Sequence, residues 1–454
     1  MIEPMRIMQA VQNLRPLDNP SANPTGLHER MQHYGVPGVS ITVLDSDMQE
    51  TVCFGVKQDG EAAKVDGQTM FQAASISKPI FALAVMRLVE QGILDLDTDV
   101  STYLKSYQVP PVRDWQPQLT LRQLLSHRAG LTVHGFPGYP AGSELPSLVQ
   151  ILRGEAPANT KPVVVDILPG QQFRYSGGGT TLAQLVVEDV VGKPLAKMMD
   201  ELIIRPLGLK HSTYSQPLPA EFHQSAASGH LQSGAVVSGR WHAYPEQAAA
   251  GLWTTSGDLV RIGRDVQAAL CGQGKLLQRE TVEEMLKPNL SDFVPTADGV
   301  GIGFFLNGSG HAARFLHSGS NHGFLSRLTV YREGGRGSAI MVNSDRGRGL
   351  IYEIEMAIAA EYGWPGYLPL PGSKLAGLYR SKQGHQFEIR DDRGVLALNI
   401  VGQPPLKLSA IGAAEQQFTV IELGAAVHFQ LDASRQVTGM RMMHQDRLIE
   451  AERV

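Results

Sequence analysis

Ser75-Ile76-Ser77-Lys78 is the segment whose residue types and spacing offer chemistry most directly. Serine and lysine at i and i+3 lie on one face of a helix, within reach of each other. A serine hydroxyl is a poor nucleophile at neutral pH and needs a partner to take its proton. A lysine amine in a dry setting, its pKa lowered by burial, meets that need. At a helix N-terminus the serine N–H also points to where an oxyanion would form. Chance alone supplies roughly one S-x-x-K in a chain of this composition, so the context carries the weight. Phe71-Gln72-Ala73-Ala74 precede the motif, and Ile80 to Met86 follow it without a charge. A helix apolar on every side runs through a core.

Two more segments invite a chemical reading. Phe173-Arg174-Tyr175-Ser176-Gly177-Gly178-Gly179 sets a tyrosine before a glycine run, in a loop whose backbone packs closely against a neighbour. The Tyr175 phenol serves as a base if nearby cations favour phenolate. The plainer alternative is a half-buried tyrosine with a satisfied hydroxyl. His317-Ser318-Gly319-Ser320 closes a predicted strand. A lone histidine on a strand is more often structural than catalytic. A polar residue, a small one and a glycine at a strand end nevertheless leave backbone N–H groups open to a ligand.

The elements that must position these residues follow from periodicity. Pro37–Leu44 and Glu50–Val56 read as a hairpin, and residues 75–91 as a buried helix ended by Gly92. Pro79 falls near the start of that helix, where its ring is tolerated. Thr120–His127 and Thr181–Asp189 read as further helices. Gly and Pro concentrate between 133 and 180, which suggests a long loop over a cleft. Strands return at Arg314–His317, Phe324–Tyr331 and Ser338–Val342, the last two joined by Glu333-Gly334-Gly335-Arg336-Gly337. A helix follows from Leu350 to Tyr362. Residues 363–373 read as a linker. Beyond it come short strands only: Leu375–Ser381, Gln386–Ile389, Val395–Ile400, Phe418–Glu422, Val427–Leu431 and Thr438–His444. Asp391-Asp392-Arg393-Gly394 and Asp432-Ala433-Ser434-Arg435 are turns among them. This tail predicts a small all-β barrel.

Composition bounds the partners. The 454 residues are 19% charged and 43% hydrophobic with a formal net charge of -4, a globular and not a disordered profile. That balance gives no electrostatic reason for nucleic acid or an anionic membrane as partner. No apolar run approaches the roughly 20 residues of a membrane span. The N-terminal stretch lacks a secretory h-region, so the chain as written is expected in the cytoplasm. Cys53 and Cys271 fit neither a disulfide framework nor a zinc spacing, and the 14 histidines form no ligand cluster. No metal and no cofactor is expected.

In order and spacing, Ser75…Lys78, Tyr175 and His317…Gly319 resemble the motifs of serine hydrolases related to class C β-lactamases, D-alanyl-D-alanine carboxypeptidases and family VIII esterases. Leu121–Leu131 and Ala250–Leu259 resemble two accessory segments of that family. The tail resembles the lipocalin-like domain that some members carry. The resemblance implies an α+β, β-lactamase-like fold over 26–365, an antiparallel sheet flanked by helices plus a mainly helical region. A lead-in at 1–25 precedes it and an all-β barrel-like domain at 366–454 follows it.

It also implies roles. Ser75 is the acylated nucleophile, and Lys78 and Tyr175 shuttle its proton, with the choice of base left open. His317 replaces the lysine of the Lys-Thr-Gly form. The N–H groups of Ser75 and Ser320 form the oxyanion hole, Ser318 belongs to the substrate-binding strand, and Gly319 lets the substrate approach its edge. His127 supports the fold near Ser75. Trp241, Tyr244 and His322 are candidates for pocket lining.

Two departures matter. Gly177 stands where the family carries the Asn that contacts the amide of β-lactams and peptides, and His317 removes a fixed positive charge suited to a substrate carboxylate. Both shift the expectation towards a small-molecule ester or small amide cleaved through a Ser75 acyl-enzyme. A D-amino-acid-specific peptidase, a β-lactamase and an acyltransferase are the alternatives within the fold. A non-catalytic penicillin-sensor-like module is the alternative of another class. The oligomeric state is open.

Overall fold

Val39, Ile41 and Val43 alternate with Ser40 and Thr42, and this period of two decides which face of the central sheet each residue meets. The computed structural model describes residues 6–17, 23–46, 48–288, 294, 297–367, 372–392, 395–400, 402–410, 416–420, 423, 425–432, 434, 436–444 and 447–454. Strands β1 (Gly38–Asp45) and β2 (Met48–Gly55) form the expected hairpin. A separate short ladder joins β3 (Phe71–Gln72) to β4 (Trp253–Thr254). The remaining strands of the main sheet are β5 (Gly299–Val300), β6 (Phe305–Asn307), β7 (Arg314–Asn321), β8 (Phe324–Tyr331) and β9 (Arg336–Val342). The sheet runs β2-β1-β9-β8-β7-β6-β5, antiparallel throughout.

One face packs Val39, Ile41, Val43, Ile340 and Val342 against helices Arg6–Val11, Leu27–Tyr34 and Arg348–Glu361. The lead-in contributes to this packing. Ile7, Ala10, Val11 and Leu14 fall at helical spacing and bury against the last of those helices. The other face meets helix Ser256–Leu270, where the Ser256 hydroxyl bonds those of Ser40 and Thr42 at 2.8 and 2.7 Å.

Helix Ser77–Glu90 is buried without a break from Ser77 to Met86, as its uncharged run requires. Its start differs from expectation. Residues Ala74–Ile76 make a 3-10 turn, and the α-helix begins only at Ser77. Thr120 caps Leu121–Leu125 in a reciprocal arrangement with Gln123. Ser176 caps helix Gly177–Val191, which Gly192 ends in the left-handed region. Between these, 133–176 is mostly loop, interrupted by helix Leu148–Arg153.

The expected linker is not free chain. Trp364 and Tyr367 are buried in the cluster of helix Arg348–Glu361, and 368–371 lie outside the described residues. Leu375 ends a short helix, Gly372–Leu375, so the next strand begins only at Gly377. The tail is a closed eight-stranded barrel: β10 (Gly377–Ser381), β11 (Gln386–Asp392), β12 (Val395–Ile400), β13 (Leu406–Ala410), β14 (Gln417–Val420), β15 (Ala425–Leu431), β16 (Val437–His444) and β17 (Arg447–Arg453). Six strands were expected. β13 and β17 escape notice because Lys407 and the charged Arg447–Arg453 run dilute their apolar alternation. Closure gives the last strand a partner at β10 and removes the edge. Tyr379, Phe387, Leu398, Phe418, Phe429 and Met440 fill the interior. The turn residues Arg393, Gly394, Ala433 and Arg435, and Ile421 and Glu422, lie outside the described residues.

Candidate active site

Ser75 sits on a turn held from every side. Ala74 before it adopts φ +51°, a left-handed conformation that non-glycine residues occupy only when their surroundings enforce it. The Ser77 hydroxyl donates to Ala74 O at 2.5 Å and accepts Leu252 N at 2.9 Å. Ser326 Oγ donates to Ala73 O at 2.8 Å, and Tyr214 Oη to Ser77 O at 2.8 Å.

One turn on, Lys78 Nζ donates to Ser75 Oγ at 2.9 Å and to Ala249 O at 2.8 Å. Lys78 is 4% exposed, and burial pushes its amine down to about 7. Tyr175 comes from the start of the Gly177 helix, its ring 5.0 Å from Lys78 Nζ. Burial raises its hydroxyl well above the ordinary value, and the hydrogen bond with Ser75 only partly offsets this. His127, itself at φ +58°, packs its ring at a tilt on Tyr175, 4.3 Å between centroids, and takes Ser176 N on Nδ1 at 3.2 Å, so it supports this loop.

His317, on β7, is buried. Burial, then the Lys78 charge, push it down to about 3, so the ring is neutral at physiological pH. Its Nδ1 lies 2.7 Å from Ser318 O, and since a carbonyl only accepts, Nδ1 carries the proton. Nε2 is left as a buried acceptor with no partner among the described residues. Past Leu316, β7 has no strand on its β6 side among the described residues. His317, Gly319 and Asn321 point to the face that carries the Ser75 turn, Ser318 and Ser320 to the face of helix Arg348–Glu361. A Cβ on Gly319 would lie 2.1 Å from Ala73 O. The glycine thus makes room for the nucleophile turn itself.

These residues border a cavity of about 650 Å³, within the range of small-molecule sites. Ser75, Tyr175, His317, Ser318, Gly319 and Ser320 all line it, with Lys78 buried behind Ser75. Phe136, Phe173, Phe305 and Leu316 give it an apolar wall, and Phe305 stacks on Tyr175 at 6.2 Å and 12°. A Cβ on Gly177 would meet Phe136 Cε2 at 2.9 Å and His134 O at 3.1 Å, so Phe136 and the His134 backbone take the space beside Gly177. At the other end stand Arg348, which is exposed, and Arg327. Arg327 is buried, ion-paired with Glu355, bonded to Ser318 Oγ at 2.8 Å and 5.2 Å from the Tyr352 ring.

Sequence reasoning missed Phe305, Arg327, Arg348 and Tyr352, which carry no local motif. Trp241, Tyr244 and His322 do not line this cavity. Trp241 faces a second one, and Tyr244 is fully buried and accepts His322 N on Oη at 3.0 Å. His322 is exposed and stacks on His242 at 4.5 Å. Among the described residues no group of three or more His, Cys, Asp or Glu side chains could hold a metal ion, and no helix is long and apolar enough to cross a membrane.

Esterase EstB of Burkholderia gladioli is 33% identical over 165 residues, 34% of this chain and 41% of the esterase, so the match spans less than half of that relative. A putative D-alanyl-D-alanine carboxypeptidase of Escherichia coli O157:H7 is 25% identical over 310 residues, 61% of this chain and 69% of the relative. The octameric penicillin-binding protein homologue from Pyrococcus abyssi shares the fold at a TM-score of 0.63 and 22% identity, over 94% of this chain and 98% of that one. The family model described as Beta-lactamase matches residues 27–360, and the chain belongs to this family of serine hydrolases.

Proposed function

We propose that the protein hydrolyses carboxylic esters with an apolar acyl group through an acyl-enzyme at Ser75. The observation that carries this reading is the Lys78 amine, buried and depressed to about 7, at 2.9 Å from Ser75 Oγ. Near neutral pH a sizeable fraction is unprotonated and able to accept the serine proton. Tyr175 keeps its proton, which makes Lys78 the base for attack and Tyr175 the donor to the leaving alkoxide. Attack forms the Oγ–acyl bond and breaks the ester C–O bond. Water then cleaves the acyl-enzyme, its hydroxyl going to the acyl carbon and its proton passing through the Lys78–Tyr175 pair to the departing Ser75 Oγ. The Ser75 and Ser320 N–H groups are the donors for the oxyanion. His317 adds a neutral acceptor in place of a fixed charge.

The Phe136–Phe305 wall and the lack of room at Gly177 favour an apolar acyl group over an amide-bearing one. Similarity to an esterase points the same way. A second reading, carboxypeptidase-like release of a D-residue, draws support from Arg348 and Arg327, which face the end where a substrate carboxylate would lie.

The test is initial-rate hydrolysis of p-nitrophenyl butyrate, a chromogenic cephalosporin and a D-alanyl anilide by wild type and Ser75→Ala. Ester turnover abolished in Ser75→Ala is expected. Preference for the anilide supports the second reading, and activity independent of Ser75 overturns both.

A further inference from the structure

The cavity that Trp241 faces has a volume of about 210 Å³ and lies between the loop 140–145 and the segment 239–243. Among the described residues it shares no lining with the Ser75 cavity. Arg240 is built into its wall at some conformational expense. The residue adopts φ +77°, rare for a long side chain, and the guanidinium lies 4.5 Å from the centre of the Trp241 ring. Behind it, Nε donates to Ser228 Oγ at 2.9 Å, Nη1 to His223 O at 3.1 Å and Nη2 to Ala226 O at 2.7 Å. All three acceptors are neutral. Two of the five N–H donors are left over. The field of Glu61 does not offset the desolvation of the cation, whose pKa is lowered. A positive charge braced by neutral groups at the edge of a partly apolar cavity calls for an anion with an apolar body.

We propose that this cavity binds a small apolar carboxylate, the Arg240 guanidinium taking the carboxylate and Trp241, Leu145 and Leu218 enclosing the body. Its volume is below the roughly 300–1,000 Å³ of sites for drug-sized ligands, so the occupant is about one ring in size. The acid released by the proposed ester hydrolysis belongs to the same chemical class. The two cavities are joined by one loop. Tyr139 and Ala243 exchange backbone hydrogen bonds at 2.8 Å each, while His134–Phe136 of that loop line the Ser75 cavity.

The test is calorimetric titration of the full chain with phenylacetate, Ser75 having first been blocked by a phosphonylating agent, with unblocked protein alongside. Phenylacetamide, the neutral isostere, is the control. Saturable phenylacetate binding that survives the block is expected, with phenylacetamide about tenfold weaker or more. Arg240→Gln should weaken phenylacetate by a similar factor. Leu145→Trp, which fills the cavity and leaves the Arg240 hydrogen bonds alone, should abolish binding. The proposal is overturned by binding that vanishes with the block, by equal affinity for acid and amide, or by no binding at ~10 mM. The comparison of acid with amide needs no variant and no arm depends on turnover; only the block draws on Ser75 as a nucleophile, and the acid–amide comparison stands without it.

Discussion

Gly319 lies against the carbonyl of Ala73 so closely that a methyl group on it would stand 2.1 Å from that oxygen and 2.3 Å from Ser326 Oγ. These two oxygens bond each other at 2.8 Å, and Ala73 N is held by Leu252 O at 2.9 Å. Neither the strand nor the turn has slack. Gly319→Ala is therefore expected to push the turn carrying Ser75 away from β7. Overpacking of this kind costs about 1–3 kcal/mol. A lower denaturation midpoint together with a lower kcat/KM for ester is the expected result. Wild-type values for both would show that the close approach is dispensable.

The Lys78 amine sets a pH dependence. Burial disfavours the ammonium form, so the amine loses its proton at about 7. The deprotonated form is the active one in the proposed mechanism. Ester kcat/KM should thus rise with pH through about 7 and fall away below it, while His317, neutral above about 3, adds no limb there. Lys78→Ala should reduce the rate by about 10²- to 10⁴-fold and remove the limb. A profile flat across this region would assign the proton to another group.

The barrel reaches the hydrolase part through two glutamines. Gln416 and Gln417 donate to Asp298 Oδ1 at 2.9 and 3.2 Å, and Gln417 also to Asn307 Oδ1 at 3.3 Å. Asp298 and Asn307 brace the β5–β6 hairpin, which presents Phe305 to Tyr175. Gln417→Leu is expected to loosen that wall by about 1 kcal/mol, roughly a fivefold rise in KM. The rise should be larger for a long-acyl ester than for a short one, with kcat little altered. An equal change for both esters would locate the effect elsewhere.

Much of the site is legible in the residues because its chemistry is local. Ser75 and Lys78 are one helical turn apart, Tyr175 precedes a helix whose cap is the next residue, and His317 and Gly319 alternate on one strand. The uncharged Ile80–Met86 run likewise announces a buried helix. Local reading falters where a pattern is diluted or short. Ala74–Ile76 is a 3-10 turn, since Ala73 before it is held by partners more than 170 residues away, Leu252 and Ser326. β13 and β17 hide their alternation among charges, and the lead-in helix is a brief apolar set in a polar stretch.

By itself the sequence determines the ordered motifs, the family they resemble, the α+β core and the β-rich tail, all of which rest on period and neighbouring chemistry. Only the tertiary structure decides that Gly319 makes room for the Ser75 turn and that Phe136 fills the space beside Gly177. It alone brings Phe305, Arg327, Arg348 and Tyr352 to one cavity and sends Trp241 to another. It also sets the ionisation of this pair, because burial lowers the Lys78 pKa and raises that of Tyr175, favouring the neutral form of each. The physical reason is common to all of these. Cavity walls and desolvation are set by side chains that meet across the sheet from distant segments, and no local pattern records such a meeting.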